Sequence, residues 1–319
     1  GYDVDGNHKD NFKKFWPADL HVIGKDIVRF HIIYWPIFLM ALGLPLPKKV
    51  YGHGWLLQDG EKMSKSKGNV MYFDDLAEVF GADAVRYYVL NEMSFDNDGT
   101  VGWEMLTDKI NSDLANVYGN LVSRTIAMTN KYFGGKVVKA ESNEEVDNSL
   151  KEVVKNAYAK VEEKIDNLRI SDSISEVMSI FRRVNKYIDE TCPWVLAKEG
   201  NTERLNAVLY NLCEAIMVGT TLLKPYMPTT ADKVATMMGA PLRTLDNIST
   251  FGYQSEYRVT DAPEVLFPRL DIKEVLKKAE VIKEKQLKEY QLENQKVENK
   301  EDFILVIESD QCSACAIYM

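Results

Sequence analysis

Cysteine is scarce in this chain, with four in 319 residues. Cys192, Cys213, Cys312 and Cys315 are scattered and suggest no disulfide framework, so a reducing, cytoplasmic setting is expected. Cys312 and Cys315 have the spacing of half a zinc site. A tetrahedral site takes four ligands, and no second pair or nearby histidine accompanies them, so zinc is not supported. Positive charge is also in deficit. The net charge of −9 leaves no global electrostatic footprint for nucleic acid, so any RNA partner would have to be held by local patches. The most apolar run is shorter than the ~20 residues that a membrane span needs. The most apolar stretch, Ile32 to Leu46, contains Pro36 and is expected to form a buried helix running into a loop; no membrane partner is expected. The sequence has no signal-peptide pattern, no internal repeat and no low-complexity tract.

Against these absences one stretch stands out. Lys62-Met63-Ser64-Lys65-Ser66-Lys67-Gly68-Asn69 holds three lysines and two serines with no acid among them. Asp59-Gly60 before it and Gly68-Asn69 at its end are turn signals, so the lysines are expected on a short, movable loop. Such a loop suits the stabilisation of negative charge that develops on phosphate oxygens. A cluster of lysines is also what an ordinary solvated loop looks like.

The residues before the loop read as α/β. Leu20 to Ile23 is expected as a short buried strand, Gly24-Lys25-Asp26 as a turn and Ile27 to about Leu42 as a helix, which together make half of a parallel α/β unit. Ligands in such sheets bind at the carboxyl ends of the strands, where Gly24 to Asp26 would lie. Gly24 would let a ligand approach the backbone. Asp26 would accept hydrogen bonds from ribose hydroxyls or, equally, cap the helix. Ile27, His31 and Tyr34 share a helix face beside that site, although a lone histidine is more often structural than a ligand contact. Pro36 would kink or weaken the helix. Val50 to Leu57 reads as strand at its apolar ends, and Gly52 and Gly54 imply close backbone approach or a bulge. Phe73 to Gly81, capped by Asp74, and Ala82 to Asn91 read as helices. Phe95 to Gly99 reads as a turn.

Beyond residue 103 the pattern becomes wholly helical. Leu106, Ile110, Leu114, Val117, Leu121, Thr125, Met128 and Tyr132 recur at steps of three and four, and Gly134-Gly135 stops the run. Ser142 with Glu145 is read as a capping box opening a second helix, with Val146, Leu150, Val153, Ala157, Val161, Ile165 and Leu168 inward. Ser173 with Glu176 opens a third, ended by Pro193. A fourth runs from Thr202 to Lys224 and a shorter one from Thr230 to Met238, giving a bundle of four or five helices. Residues 240–268 read as irregular, and Asp271 to about Asn299 as a solvated, charge-interleaved helix or linker.

The lysine loop resembles the signature of class I aminoacyl-tRNA synthetases, and its neighbours narrow the likeness. Trp16-Pro17-Ala18-Asp19, Gly24-Lys25-Asp26-Ile27 with Phe30-His31 and Trp35-Pro36, Gly52-His53-Gly54, Asp113 to Asn116 and Gly119 to Arg124 are together similar to the bacterial type of methionyl-tRNA synthetase, over roughly residues 1–240. The resemblance implies the C-terminal half of a Rossmann-type α/β domain followed by an all-α bundle. It divides the chain into a catalytic and stem-contact region at 1–103, an anticodon-binding bundle at 104–240, and a linker, charged helix and start of a C-terminal tRNA-binding domain at 241–319. The family reaction joins methionine to ATP as methionyl adenylate and transfers the acyl group to the 3′ end of tRNA(Met). Carried over by motif, Lys62 and Lys65 would stabilise the leaving pyrophosphate. Gly24, Lys25, Asp26, Leu56 and Lys65 would bind ATP, which comes with Mg2+, and Ile27 and His31 would line the methionine pocket. Asn120, Arg124 and Trp194 would hydrogen-bond and stack on anticodon bases. The family's other nucleotide-binding half, with its His-Ile-Gly-His-type motif and zinc-bearing insertion, does not occur in this sequence. Glu301 to Ile304 faintly resembles the start of the extra C-terminal domain, and the text after it departs from that pattern. A fragment, inactive alone, is therefore the expectation, with a homodimer where the full-length protein carries that extra domain. The alternative reading is a non-catalytic tRNA-binding scaffold derived from a synthetase.

Overall fold

The computed structural model describes residues 1–92 and 97–298, with side chains to 292. The expected turn at Phe95-Asp96, the 301–304 stretch and the Cys312/Cys315 pair lie outside the described residues. After a short helix α1 (Asp10–Phe15), strand β1 (His21–Gly24) runs into a 3₁₀ turn (Lys25–Ile27), a π-helical turn (Phe30–Tyr34) and α2 (Trp35–Ala41). The chain returns as β2 (Val50–His53), parallel to β1, with His21 opposite Val50 and Gly24 opposite His53. A second strand–helix–strand unit follows. Strand β3 (Leu56–Gln58) leads through α3 (Phe73–Phe80) and α4 (Ala82–Glu92) to β4 (Gly99–Val101), again parallel, with Leu56 opposite Gly99. Parallel pairs require such crossovers, so the expected α/β region is present as two small βαβ units.

Two expectations about burial fail here. Strand β1 is not buried on both faces, because Val22 is 54% exposed while Ile23 is covered. The apolar helix is not buried either. Leu39 is covered, but Phe30, Ile37, Phe38 and Met40 face outward. Nothing in the described chain packs on that side, and periodicity cannot register a missing neighbour. Pro36 does not break the helix. It sits in the first turn of α2, where its missing N–H is not needed, and the irregularity is taken up by the π turn before it. Asp74 is not a cap. Tyr72 holds the position before α3, and no side chain bonds there.

The bundle begins with α5 (Trp103–Lys109), a π-helical stretch (Ile110–Gly119) and α6 (Asn120–Phe133), which form one continuous rod ended by Gly134 at φ +56°. Leu106, Ile110, Leu114, Leu121 and Thr125 are buried along it, as their spacing predicts. Helix α7 (Glu145–Asp166) is capped by Glu144, whose N–H donates to Asp147 at 3.2 Å, and not by Ser142; Ser142 is drawn inward to accept from Asn211 at 2.9 Å. Val154 rather than Val153 is the buried residue, and Ile165 is exposed. Helix α8 (Ile170–Thr191) starts before Ser173, whose hydroxyl instead meets that of Tyr226 at 2.7 Å. Pro193 both follows α8 and opens α9 (Pro193–Lys198). Helix α10 (Thr202–Leu223) is the central member, packed against α6, α7, α8 and α11 (Pro228–Met238). It is long and apolar enough to cross a membrane, yet 89% of its most apolar window is buried inside the bundle. The region 240–268 is not wholly irregular, since β6 (Glu256–Arg258) pairs antiparallel with β5 (Lys136–Val138).

The last described element, α12 (Ile272–Glu298), is not a free solvated helix. Val275 and Ala279 are buried, and the helix packs against α5, α3 and the lysine loop. Its interleaved charges conceal this sparse apolar stripe from a reading of composition.

Candidate active site

The turn after β1, the loop before β4 and the nearby lysine loop converge on Trp55. It enters β3 directly after Gly54, where an added Cβ would lie 2.1 Å from the Asn97 carbonyl oxygen, so only glycine fits. The Trp55 N–H donates to Asp98 Oδ1 at 2.9 Å. The same carboxylate is ion-paired with Lys25 from the glycine turn after β1. The Lys25 hydrogen bond, aided by the Trp55 N–H, holds the Asp98 carboxyl below its usual range. Two ammonium groups sit over the Trp55 ring, Lys62 Nζ at 3.8 Å and Lys25 Nζ at 4.7 Å from the centroid. The indole π-system attracts both cations, and the Asp98 carboxylate balances the charge of Lys25. Asp98 carries no motif signal, because its partners Lys25 and Trp55 lie 73 and 43 residues away.

Gly24 closes β1, and Asp26 folds back towards it, with Oδ1 2.5 Å from where a Gly24 Cβ would stand. The carboxylate makes no capping bond to the turn, so the capping alternative is not realised. Leu56, half-buried, follows Trp55 in β3. Ile27 is 38% exposed, and its carbonyl oxygen lies 3.0 Å from His31 Nδ1, which ties these two residues of one face together. His21, not singled out by sequence, lies edge-on to His31 at 6.3 Å, and its Nε2 is buried without a hydrogen-bond partner among the described residues.

The lysine loop is more ordered than a run of lysines suggests. Asp59 and Gly60, at φ +48° and +84°, make a tight turn closed by paired Gln58–Glu61 backbone bonds of 2.8 and 2.9 Å. Lys65–Lys67 form one 3₁₀ turn, ended by Gly68 at φ +61°. Asn69 Oδ1 accepts from the Ser64 N–H at 2.7 Å, and the hydroxyls of Ser64 and Ser66 meet at 2.8 Å. Lys67 pairs with Glu61 at 2.8 Å. Lys62 is engaged with Trp55, and Lys65 is exposed with no ion pair among the described residues. Lys65 borders a cleft with Val70, Tyr72, Gln286, Glu289 and Tyr290. No group of three His, Cys, Asp or Glu side chains fit to hold a metal occurs among the described residues.

In the bundle, Asn120 and Arg124 lie one turn apart at the start of α6, Asn120 exposed and Arg124 half-buried. The preceding turn is fastened to α8 by the Asn185 amide, which donates to the Val117 carbonyl at 3.0 Å. Trp194, 46% exposed, stands in the first turn of α9. No hydrogen bond or ring contact joins it to Asn120 or Arg124 among the described residues.

Comparison with known proteins bears on both parts of the chain. Residues 2–126 match the family of class I tRNA synthetases (M), and residues 137–280 match the anticodon-binding domain of methionyl-tRNA ligase. The chain is 49% identical over 289 residues to the methionine–tRNA ligase of Clostridium acetobutylicum, covering 90% of this chain and 44% of that one. It is 47% identical over 306 residues to that of Caldanaerobacter subterraneus, covering 95% and 48%. Among solved structures, Mycobacterium tuberculosis methionyl-tRNA synthetase in complex with methionyl-adenylate superposes with a TM-score of 0.76 at 35% identity, over 83% of this chain and 52% of that one. The chain thus spans about half the length of the curated relatives it matches. With motif order, the two adjoining family models and the fold in agreement, the chain belongs to the class I methionyl-tRNA synthetase family.

Proposed function

We propose that this chain supplies the signature-loop half of a cytoplasmic methionine–tRNA ligase together with its anticodon-reading bundle. The observation that carries the reading is the convergence on Trp55. It brings the lysine loop to the carboxyl ends of the strands, where Gly24, Lys25 and Asp26 wait for a nucleotide. In the first step the methionine carboxylate attacks the α-phosphorus of MgATP, and pyrophosphate leaves. Lys65, with no ion pair among the described residues, and Lys62, held over an aromatic face, are positive charges on flexible stems that follow the charge onto the leaving group. Asp26 meets the ribose and the backbone at Leu56 the adenine, while Ile27 and His31 flank the methionine side chain. In the second step a hydroxyl of the terminal tRNA ribose attacks the carbonyl of the adenylate, and AMP leaves. Asn120, Arg124 and Trp194 select the tRNA by its unpaired anticodon bases. Residues 1–103, 104–240 and 241–319 are the corresponding functional divisions. The exposed apolar side of residues 27–42 is the contact for the half of the catalytic domain that the longer relatives carry.

The test has two arms. The isolated chain is expected to lack ATP–pyrophosphate exchange yet to bind a tRNA bearing a CAU anticodon. Trp194→Ala is expected to weaken that binding by about 1–3 kcal/mol, the value of one stacked base. In the full-length protein Lys65→Ala should slow exchange about 10²–10³-fold, the effect of removing one donor aimed at developing charge. Indifference to the anticodon together with an unaffected Lys65→Ala protein would favour a scaffold instead.

A further inference from the structure

Helix α12 does more than cover α5. It is fixed at its start, where the amide of Asn111 takes both backbone groups of Leu270, accepting from its N–H at 2.9 Å and donating to its carbonyl at 3.0 Å. Val275 and Ala279 then bury themselves. Two turns further on, the helix meets the exit of the lysine loop. Gln286 Nε2 donates to the Val70 carbonyl at 2.8 Å and to Asp75 Oδ2 at 3.1 Å, so both amide protons are used. The next residue, Leu287, lies against Gly68. An added Cβ there would stand 2.7 Å from Leu287 Cγ. Gly68 is thus required twice, for its left-handed conformation and for the room it leaves to Leu287. Gln286 also borders the cleft that Lys65 lines, with Glu289 and Tyr290 beside it.

We propose that α12 is a positioning element of the lysine loop, with Gln286 and Leu287 as the positioning residues that hold the exit segment 68–70 while Lys65 remains free to move. Neither residue reaches a nucleotide site; both act on Lys65 through the backbone that follows it. A lysine that must track a leaving group needs a fixed pivot, because small misplacement of a charge-stabilising donor is costly. The loop's internal bonds brace its own turn, and α12 supplies the external reference by tying it to the bundle helix that carries Asn111. The consequence for catalysis rests on the ligase reading above; the latch itself does not.

The experiment separates the two. Hydrogen exchange on this chain is followed for residues 60–72 and, as an internal control, for α10. Gln286→Ala combined with Leu287→Ala is expected to speed exchange in the loop about tenfold while α10 stays protected. The single variant Leu287→Met should keep the protection of the native chain. Unchanged loop exchange, or equal loosening of loop and α10, overturns the latch. In the full-length protein the double variant is then expected to lower kcat for pyrophosphate exchange several-fold with the KM for methionine unchanged. A loosened loop with unaltered kinetics would overturn the positioning role. Absence of exchange in the unaltered full-length protein would count against the ligase reading and leave the latch standing.

Discussion

The two halves of this molecule are built on opposite terms. Between residues 1 and 75, Ile23 and Leu39 are the buried apolar side chains among the described residues. The bundle, in contrast, has an extensive buried core. Phe181, Val184, Leu209, Leu212 and Ile216 are fully covered, and even its charges are enclosed. Glu214 is buried against Arg243, accepts from the Gly252 N–H at 2.7 Å and meets the hydroxyl of Tyr257. Asp147 is held by Arg204 at 2.7 Å and by the Tyr187 hydroxyl. The comparison teaches where stability and function separate. The bundle holds most of the buried core, whereas the first part of the α/β region leaves its lysines and an apolar face exposed, held in place by long-range contacts around Trp55 and by α12.

The sharpest way to break this contrast is to remove a buried charge. Glu214→Ala should lower the unfolding free energy of the bundle by about 3–5 kcal/mol in urea titrations, since it leaves Arg243 buried and unpaired. A change below about 1 kcal/mol would mean that water enters this core. Acid probes the same feature more gently. Burial by itself pushes the Asp147 carboxyl up, but hydrogen bonds from Arg204 and Tyr187 and the charge of Arg204 outweigh it, so the folded group titrates below its reference value of 3.8. A depressed carboxylate stabilises the fold above the unfolded value, and that contribution is lost as the pH falls through the lower folded one. Bundle stability should therefore hold from neutral pH down to about 4 and decline below it, with Asp147→Asn flattening the acid limb. The smallest effect is expected on the other side of the comparison. Phe38→Ser, at a side chain 59% exposed, should leave the stability of this chain within about 0.5 kcal/mol. A substantial loss would show that the face of α2 is already covered, for instance by a second copy.

Much of the candidate site was legible as residue types. The lysine loop, the Gly24-Lys25-Asp26 turn, and the Asn120/Arg124 spacing all sit where their local patterns put them. What was illegible was long-range. Asp98 looks like part of a polar turn, and only the fold sets it against Lys25 and the Trp55 N–H. Ser142 and Ser173 satisfy the pattern of helix caps, yet each finds a buried partner that is worth more to it than a helix end, so α7 and α8 begin elsewhere. The stripe of α12 holds too few apolar residues to raise a periodicity above its charges, although Val275 and Ala279 are covered.

The sequence by itself determined the alternation of strand, turn and helix before residue 103, the heptad-like steps of the bundle rod, and the chemistry available in the lysine loop. These are local properties, set by backbone conformational preference and by which side chains fall on one face. Tertiary structure alone decided that Lys62 and Lys25 would share one indole, that the apolar side of α2 would stay uncovered, and that the charged helix α12 would lie on Gly68. Each of these depends on what arrives from distant chain, and no window of neighbouring residues records it.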